Sequence, residues 1–287
     1  MRPSPSPRRA LRFAGIFFAA VCITLAPSAW VSAAGSPALI SKAAPLRVMA
    51  LGDSITAGVG AAGIKLADGG YRGTLAKLLQ DSGYHVKFVG SRSDFSSAIP
   101  ERAHEGWPGY VVRSFPSDPG PGELLGALTR SAIRDADPDI ILLMAGTNDL
   151  LRLQKHADGY TLPAIVHSMD LLVDQIFTQK PDVRVIVAPV VASTRIDRCT
   201  IARFAGEGAC GQPGAETLKT LVAAYAKRGF RISLASAMES AVPADASHFP
   251  DGIHPAGADG YGLVAKIWLD AIEAVTEASP EMPSTNH

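Results

Sequence analysis

The chain has 287 residues, 47% of them hydrophobic and 19% charged, with 27 basic against 27 acidic side chains. A length of this kind supports one domain with a sizeable core. The balanced charge, with no dense Lys/Arg patch, gives no electrostatic reason to seek nucleic acid or an anionic membrane.

Residues 1–34 read as a secretory signal peptide. Arg2, Arg8, Arg9 and Arg12 form a basic leader, Phe13 to Leu25 is an apolar run of 13 residues, and Val31-Ser32-Ala33 or Ser32-Ala33-Ala34 offers a cleavage site. The run is too short for a comfortable membrane span, so an uncleaved anchor is the weaker alternative. Cys22 is preceded by Val21, a larger residue than a lipid-attachment signal wants. Cleavage removes four arginines and no acidic residue, leaving 23 basic against 27 acidic side chains on an exported or periplasmic protein. Residues 35–41 read as a linker, 42–278 as a single domain and 279–287 as a flexible tail.

From Lys42 onward strand-like and helix-like stretches alternate. Leu46 to Leu51 is a short, mostly apolar run of the kind buried on both faces of a parallel sheet. Ile55 to Gly70 reads as a glycine-rich turn and lip, with room for a short helix just after Ser54. Tyr71 to Gln80 has Leu75, Leu78 and Leu79 at helical spacing, and His85 to Gly90 alternates as a second strand does. The stretch from His104 through Gly109 is too rich in Gly and Pro to predict a regular element. Glu123 to Arg134 reads as one helix, ended by Asp137-Pro138-Asp139. Ile140 to Met144 is a buried strand, Thr161 to Phe177 a long helix and Val183 to Ala188 a strand.

About 24 residues past Pro189 form a long loop carrying Cys199 and Cys210. In an oxidising compartment these two predict a disulfide; the alternative is two free thiols, and a zinc site lacks further ligands. Glu216 to Lys227 is helical, Phe230 to Leu234 a strand, Ala256 to Gly262 a turn, and Leu263 to Val275 a closing helix with Trp268 in the core. The alternation predicts an α/β fold: a three-layer α/β/α sandwich with a mainly parallel five-stranded sheet.

Three places fall beyond strand ends, where sites in open α/β sheets lie. Ser54 follows the first strand at a glycine turn, where a hydroxyl can attack a carbonyl while nearby amides stabilise the resulting charge. Read alone, a serine there is more often a helix cap or turn residue. Asn148 follows the Ile140–Met144 run. Asp251 and His254, three residues apart, can face one centre, so that Asp251 holds one imidazole nitrogen while the other receives the proton of Ser54. The plainer alternative makes Asp251 a turn cap and His254 a surface residue.

Four blocks in order, Gly52-Asp53-Ser54-Ile55, Glu105-Gly106-Trp107-Pro108-Gly109, Gly146-Thr147-Asn148-Asp149 and Asp251-Gly252-Ile253-His254, resemble the signature of the SGNH hydrolases, also called GDSL-type esterases and lipases. The resemblance spans nearly the whole chain after the leader, with Ile55 standing where the family name has Leu. It implies a serine esterase with Ser54 as nucleophile, His254 as general base and then acid, Asp251 as its orienter, and an oxyanion hole from the Ser54 amide, the Gly106 amide and the Asn148 side chain. Asp149 and Asp53 are read as loop-shaping residues.

Within the family, the block His104 to Tyr110 is similar to that of secreted esterases that deacetylate xylan and related polysaccharides, although Trp107-Pro108 departs from their usual pattern. That likeness implies an acetylated polysaccharide as substrate, with Trp107 and Tyr110 either stacking on sugar rings or packing the loop. A lipase or general carboxylesterase is the alternative, and a non-catalytic carbohydrate-binding protein a remote one. The chain lacks a P-loop ending, a dinucleotide fingerprint and a His-Glu-x-x-His arrangement, so no cofactor and no metal is implied. No sequence feature sets an oligomeric state.

Overall fold

Five short parallel strands form the centre of the structure. The computed structural model describes residues 42, 44–118, 120–128, 131–208, 210 and 214–277. The leader with Cys22, the linker 35–41 and the tail 279–287 lie outside the described residues. In chain order the strands are β1 (Leu46–Gly52), β2 (Val86–Phe88), β3 (Glu105–Gly106), β4 (Ile140–Met144), β5 (Arg184–Ala188) and β6 (Ile232–Leu234). The helices are α1 (Ser54–Ala57), α2 (Tyr71–Asp81), α3 (Leu124–Ala127), α4 (Ala132–Ala136), α5 (Thr147–Gln154), α6 (Leu162–Gln179), α7 (Arg198–Ala205), α8 (Leu218–Lys227) and α9 (Gly257–Glu277).

The sheet order is β2-β1-β4-β5-β6, all parallel, and the two-residue β3 pairs with the far end of β1. Strands this apolar are buried on both faces because helices cover both. Val48, Ala50, Ile140, Leu142 and Ile186 pack with Leu75 and Leu79 of α2 and Val264 and Trp268 of α9. Met49, Leu51, Ile141, Leu143 and Val185 point the other way, into Met169, Leu172 and Val173 of α6 and Leu218 and Leu221 of α8. Each such side chain removed from water contributes about 1.5–3 kcal/mol, and together they hold β1 and β4 rigidly side by side. The chain leaves β1 toward one edge and β4 toward the other, so the loops after these two strands flank the switch point of the sheet.

Five elements differ from expectation, the first being α5, a helix over Thr147–Gln154 where the sequence reading has none. The stretch 123–134 is two short helices rather than one. Leu128 leaves helical geometry at ψ 83°, and α6 caps the break: Gln175 Nε2 donates to the Leu125 and Leu128 carbonyls, while Gln179 Oε1 accepts the Ile133 amide. The loop after Pro189 contains α7, capped by Asp197, whose carboxylate accepts the Thr200 amide at 2.9 Å. Glu105-Gly106 pairs with Leu51-Gly52 as β3 in a stretch read as irregular. Finally, α9 begins at Gly257, so most of the expected 256–262 turn is helix. Its glycines disfavour this by about 1 kcal/mol each, but Tyr261 is fully buried and donates its hydroxyl to the Val59 carbonyl at 2.6 Å, docking the start of α9 onto the loop after α1.

Cys199, in the first turn of α7, is bonded to Cys210, with Cα atoms 5.3 Å apart. Among the described residues no helix is long and apolar enough to cross a membrane.

Candidate active site

Ser54 owes its position to a crowded strand end. A Cβ on Gly52 would lie 2.0 Å from the Met144 carbonyl oxygen, and one on Gly106 would lie 2.4 Å from the Ala57 amide, so only glycine lets β4 and β3 close on the β1–α1 turn. Asp53 then caps α1 by accepting the Ile55 amide at 3.0 Å. Ser54 is the first residue of α1, where a helix leaves amides without intrahelical acceptors.

The Asp251–His254 turn arrives from the opposite end of the chain, before α9. Asp251 Oδ1 accepts the amides of Ile253 (2.9 Å) and His254 (2.8 Å), which shapes the turn. Its other oxygen accepts the His254 Nδ1 proton at 2.7 Å and the Ala62 amide at 3.1 Å. With Nδ1 protonated, Nε2 is the acceptor, and the Ser54 hydroxyl donates to it at 2.9 Å. The Gly252 carbonyl is held by the Ser193 hydroxyl (2.6 Å) and the amides of Thr194 and Arg195 (3.1 and 3.2 Å), tying the turn to the segment after β5. Burial pulls the Asp251 carboxyl upward, but the amide and ring of His254 and the Ile253 amide outweigh it and hold the group at about 2. A carboxylate so fixed keeps the imidazole in one tautomer.

Asn148, in the first turn of α5, donates one Nδ2 proton to the Tyr110 carbonyl at 2.8 Å, which leaves its second proton unspent by that bond. Asp149 is fully buried and accepts the Val112 amide through both oxygens (3.2 and 3.1 Å). Burial pushes its carboxyl up to about 7, and the charge of Asp53 adds to the rise against the Val112 bond. Burial also raises Asp53, whose second oxygen has no protein partner among the described residues.

Two buried residues escaped the sequence reading. His104 Nε2 donates to the Asp94 carbonyl at 2.7 Å, and its Nδ1 accepts the Gly106 amide at 3.0 Å. Burial, helped by the charge of Arg72, drives this imidazole down to about 4. The Arg72 guanidinium is enclosed and donates to the carbonyls of Thr56 (3.2 Å), Ala57 (3.1 Å), Arg102 (3.1 Å) and Phe95 (3.4 Å), bracing the end of α1 from behind. His104 opens the block His104 to Tyr110, which gives it no role, and Arg72 has no sequence signal: an arginine in an apolar helix stripe reads as surface until the fold encloses it.

Trp107 and Tyr110 stack on each other with ring centres 5.2 Å apart. Trp107 Nε1 donates to Glu105 at 3.1 Å, and the Arg92 guanidinium lies over its ring at 4.5 Å. The pair therefore packs its own loop, whatever else it touches. Among the described residues no group of three His, Cys, Asp or Glu side chains is placed to hold a metal ion.

A serine hydrogen-bonded to an imidazole, itself held by a carboxylate, all at the switch point of a parallel sheet, defines a serine hydrolase. The chain belongs to the GDSL-like lipase/acylhydrolase family, whose sequence profile matches residues 50–263. It is 28% identical over 276 residues to a multidomain esterase of Ruminococcus flavefaciens, covering 90% of this chain but only 31% of that protein's length. Its fold is similar to the family 3 carbohydrate esterase of Clostridium thermocellum, with TM-score 0.57 and 25% identity over 83% of this chain and all of that one. A family 3 carbohydrate esterase from Talaromyces cellulolyticus shares the fold at TM-score 0.56 and 22% identity, over 81% of this chain and 99% of that one.

Proposed function

We propose that this protein is an exported serine esterase that removes short acyl groups, acetyl above all, from carbohydrate, with Ser54, His254 and Asp251 as its catalytic residues. The observation that carries the reading is the continuous relay from Ser54 Oγ through His254 to Asp251, with links of 2.9 and 2.7 Å.

Ser54 Oγ attacks the ester carbonyl as His254 Nε2 takes its proton, and Asp251 stabilises the imidazolium. The tetrahedral oxyanion is met by the Ser54 amide and the second Nδ2 proton of Asn148. The Gly106 amide, the third donor expected from the sequence, is instead given to His104 Nδ1 at 3.0 Å, so the Ser54 amide and Asn148 carry this role. His254 then gives its proton to the departing sugar oxygen, leaving the acetyl group on Ser54, and a water activated by the same imidazole releases acetate.

The carbohydrate part of the reading is supported by the likeness to a carbohydrate esterase at 25% identity and by Trp107 and Tyr110 beside Gly106, where aromatic faces suit sugar rings. The exported location rests on the leader. Kinetics on a series of acyl esters, with acetate release from acetylated xylan, tests the proposal. A lipase gains up to about 0.8 kcal/mol of binding per added methylene that its pocket buries, so efficiency rising through octanoyl with no acetate from xylan overturns it. A fall beyond butanoyl with acetate release supports it.

A further inference from the structure

A pocket of about 300 Å³ is lined by Leu151, Gln154, Lys155, Arg195 and Ile253. Two of its walls continue the active site. Ile253 precedes His254 and gives its amide to Asp251, while Leu151 of α5 and Lys155, which caps its C-terminus, follow Asn148 at helical spacing. Two turns of helix separate Asn148 from Lys155, about 10 Å along the axis. The third wall is the Arg195 segment, whose amide is fixed on the Gly252 carbonyl at 3.2 Å. The Gln154 amide, oriented to donate to the Arg195 carbonyl and accept the Asp197 amide at 2.5 Å each, joins that segment to α5. The pocket is therefore built from anchored pieces.

Its two cations, Lys155 and Arg195, are solvent-exposed. Like most described lysines and arginines, neither forms an ion pair with a described residue, so both are available to an anionic ligand. The nearest carboxylate in sequence, Asp197, is occupied in capping α7 through Thr200. Two uncompensated cations over an apolar floor of Leu151 and Ile253 suit a ring that bears a carboxylate, and a guanidinium can bind that carboxylate through two parallel hydrogen bonds.

We infer that this pocket is a subsite for a uronic acid residue neighbouring the esterified sugar, so that the preferred substrate is an acidic acetylated polysaccharide. The inference rests on the carbohydrate-esterase reading above. The α5 span from Asn148 to Lys155 is one that a sugar adjoining the ester bridges, with its carboxylate toward Arg195 and Lys155.

The test compares acetate release from acetylated xylan bearing glucuronic acid branches with release from acetylated xylan lacking them, at matched acetyl content. It uses the wild type and the variants Lys155→Gln, Arg195→Gln and their double. The wild type should show the higher kcat/KM on the acidic polymer, with an advantage that shrinks as NaCl is raised. The double variant should lower the acidic-to-neutral ratio about tenfold, with the Ser54→Ala form of each protein showing the same loss of preference in direct binding to the two polymers. Arg195→Lys, which keeps the charge and loses the paired hydrogen bonds, should fall between. Equal efficiency on both polymers, or a ratio unchanged in the double variant, removes the subsite and leaves the carbohydrate esterase standing. No acetate from either polymer, with activity on small esters intact, overturns the carbohydrate reading and the subsite with it.

Discussion

The Gly106 amide donates to Nδ1 of His104 across 3.0 Å, inside a core that shuts His104 off from water completely. The other ring nitrogen donates to the Asp94 carbonyl, so the imidazole serves both neighbours only while neutral. A proton on Nδ1 would set donor against donor and free the peptide that adjoins Ser54's helix. His104 thus holds the β3 strand end in register with β1 from the side away from substrate.

That relationship makes acid stability depend on His104. Burial lowers its pKa from 6.5 to about 4, so between these values the unfolded chain carries a proton that the folded one refuses. Stability then rises with pH across the window and is lost as pH falls from 6.5 toward 4, by on the order of 3 kcal/mol at the acid end. Urea denaturation of wild type and His104→Gln at steps from pH 7 to 4 should show their stability difference shrinking as pH falls. A difference constant with pH would show that His104 ionises normally.

Asp149 acts in the opposite sense. Its carboxyl is raised from 3.8 to about 7 by burial, so the folded protein binds the extra proton and loses stability as pH rises through that interval. Over pH 4 to 6.5 the two slopes partly cancel in the wild type, and only variants separate them. Asp149→Asn keeps an oxygen for the Val112 amide, and its advantage over wild type should grow from pH 4 to 7 to a few kcal/mol and then level off. The same urea series reads it.

Substitutions at the relay should separate by role. With a nitrophenyl acetate substrate, Ser54→Ala should lose on the order of 10⁵–10⁶ in kcat and Asp251→Asn about 10³–10⁴, through the wrong imidazole tautomer. Asn148→Ala should lose about 10²–10³ with KM little changed, as expected of a donor that acts on the transition state. Because Asp251 is held at about 2, its protonation lies below the range in which the acid limb of the rate is measured. Near-normal turnover by Ser54→Ala would end the assignment.

Arg72 should prove structural and indirectly catalytic. Its guanidinium serves four carbonyls, two of them at the end of α1. Arg72→Met strands these buried acceptors at about 1–3 kcal/mol each before relaxation. A lower urea midpoint is expected, with kcat reduced more than KM is raised. Unchanged stability would mean that water replaces the guanidinium without loss.

Opening the Cys199–Cys210 bridge relaxes a loop with a sequence separation of 11, worth about 3 kcal/mol in the chain-entropy account. Reduction, or Cys199→Ser with Cys210→Ser, should lower Tm by several degrees while activity at room temperature persists. The bridge anchors α7, which contributes no residue to the relay. An unchanged Tm would place the stability of this segment in α7 packing alone.

The sheet and the Asp251–His254 turn were legible in the sequence because they are local signals, whereas the link from His254 to Ser54, 200 residues away, rested on the resemblance of the four blocks. Ile140 to Met144 can only be a strand buried on both sides, and Asp251 and His254 sit at a spacing whose amides close the same carboxylate turn whatever surrounds it. Trp268 fell in the core because its stripe repeats at helical period. What local pattern left undetermined was set by contacts between segments distant in the chain. The break between α3 and α4 exists because Gln175 and Gln179 of α6 cap it, and the early start of α9 because Tyr261 finds Val59. His104 and Arg72 became buried polar anchors only when the strand ends closed around them, and Lys155 came to share a pocket with Arg195 only when α5 met the segment after β5. Sequence period records which face of an element is apolar; which polar groups lose their water, and against what partner, is decided by the packing of those elements.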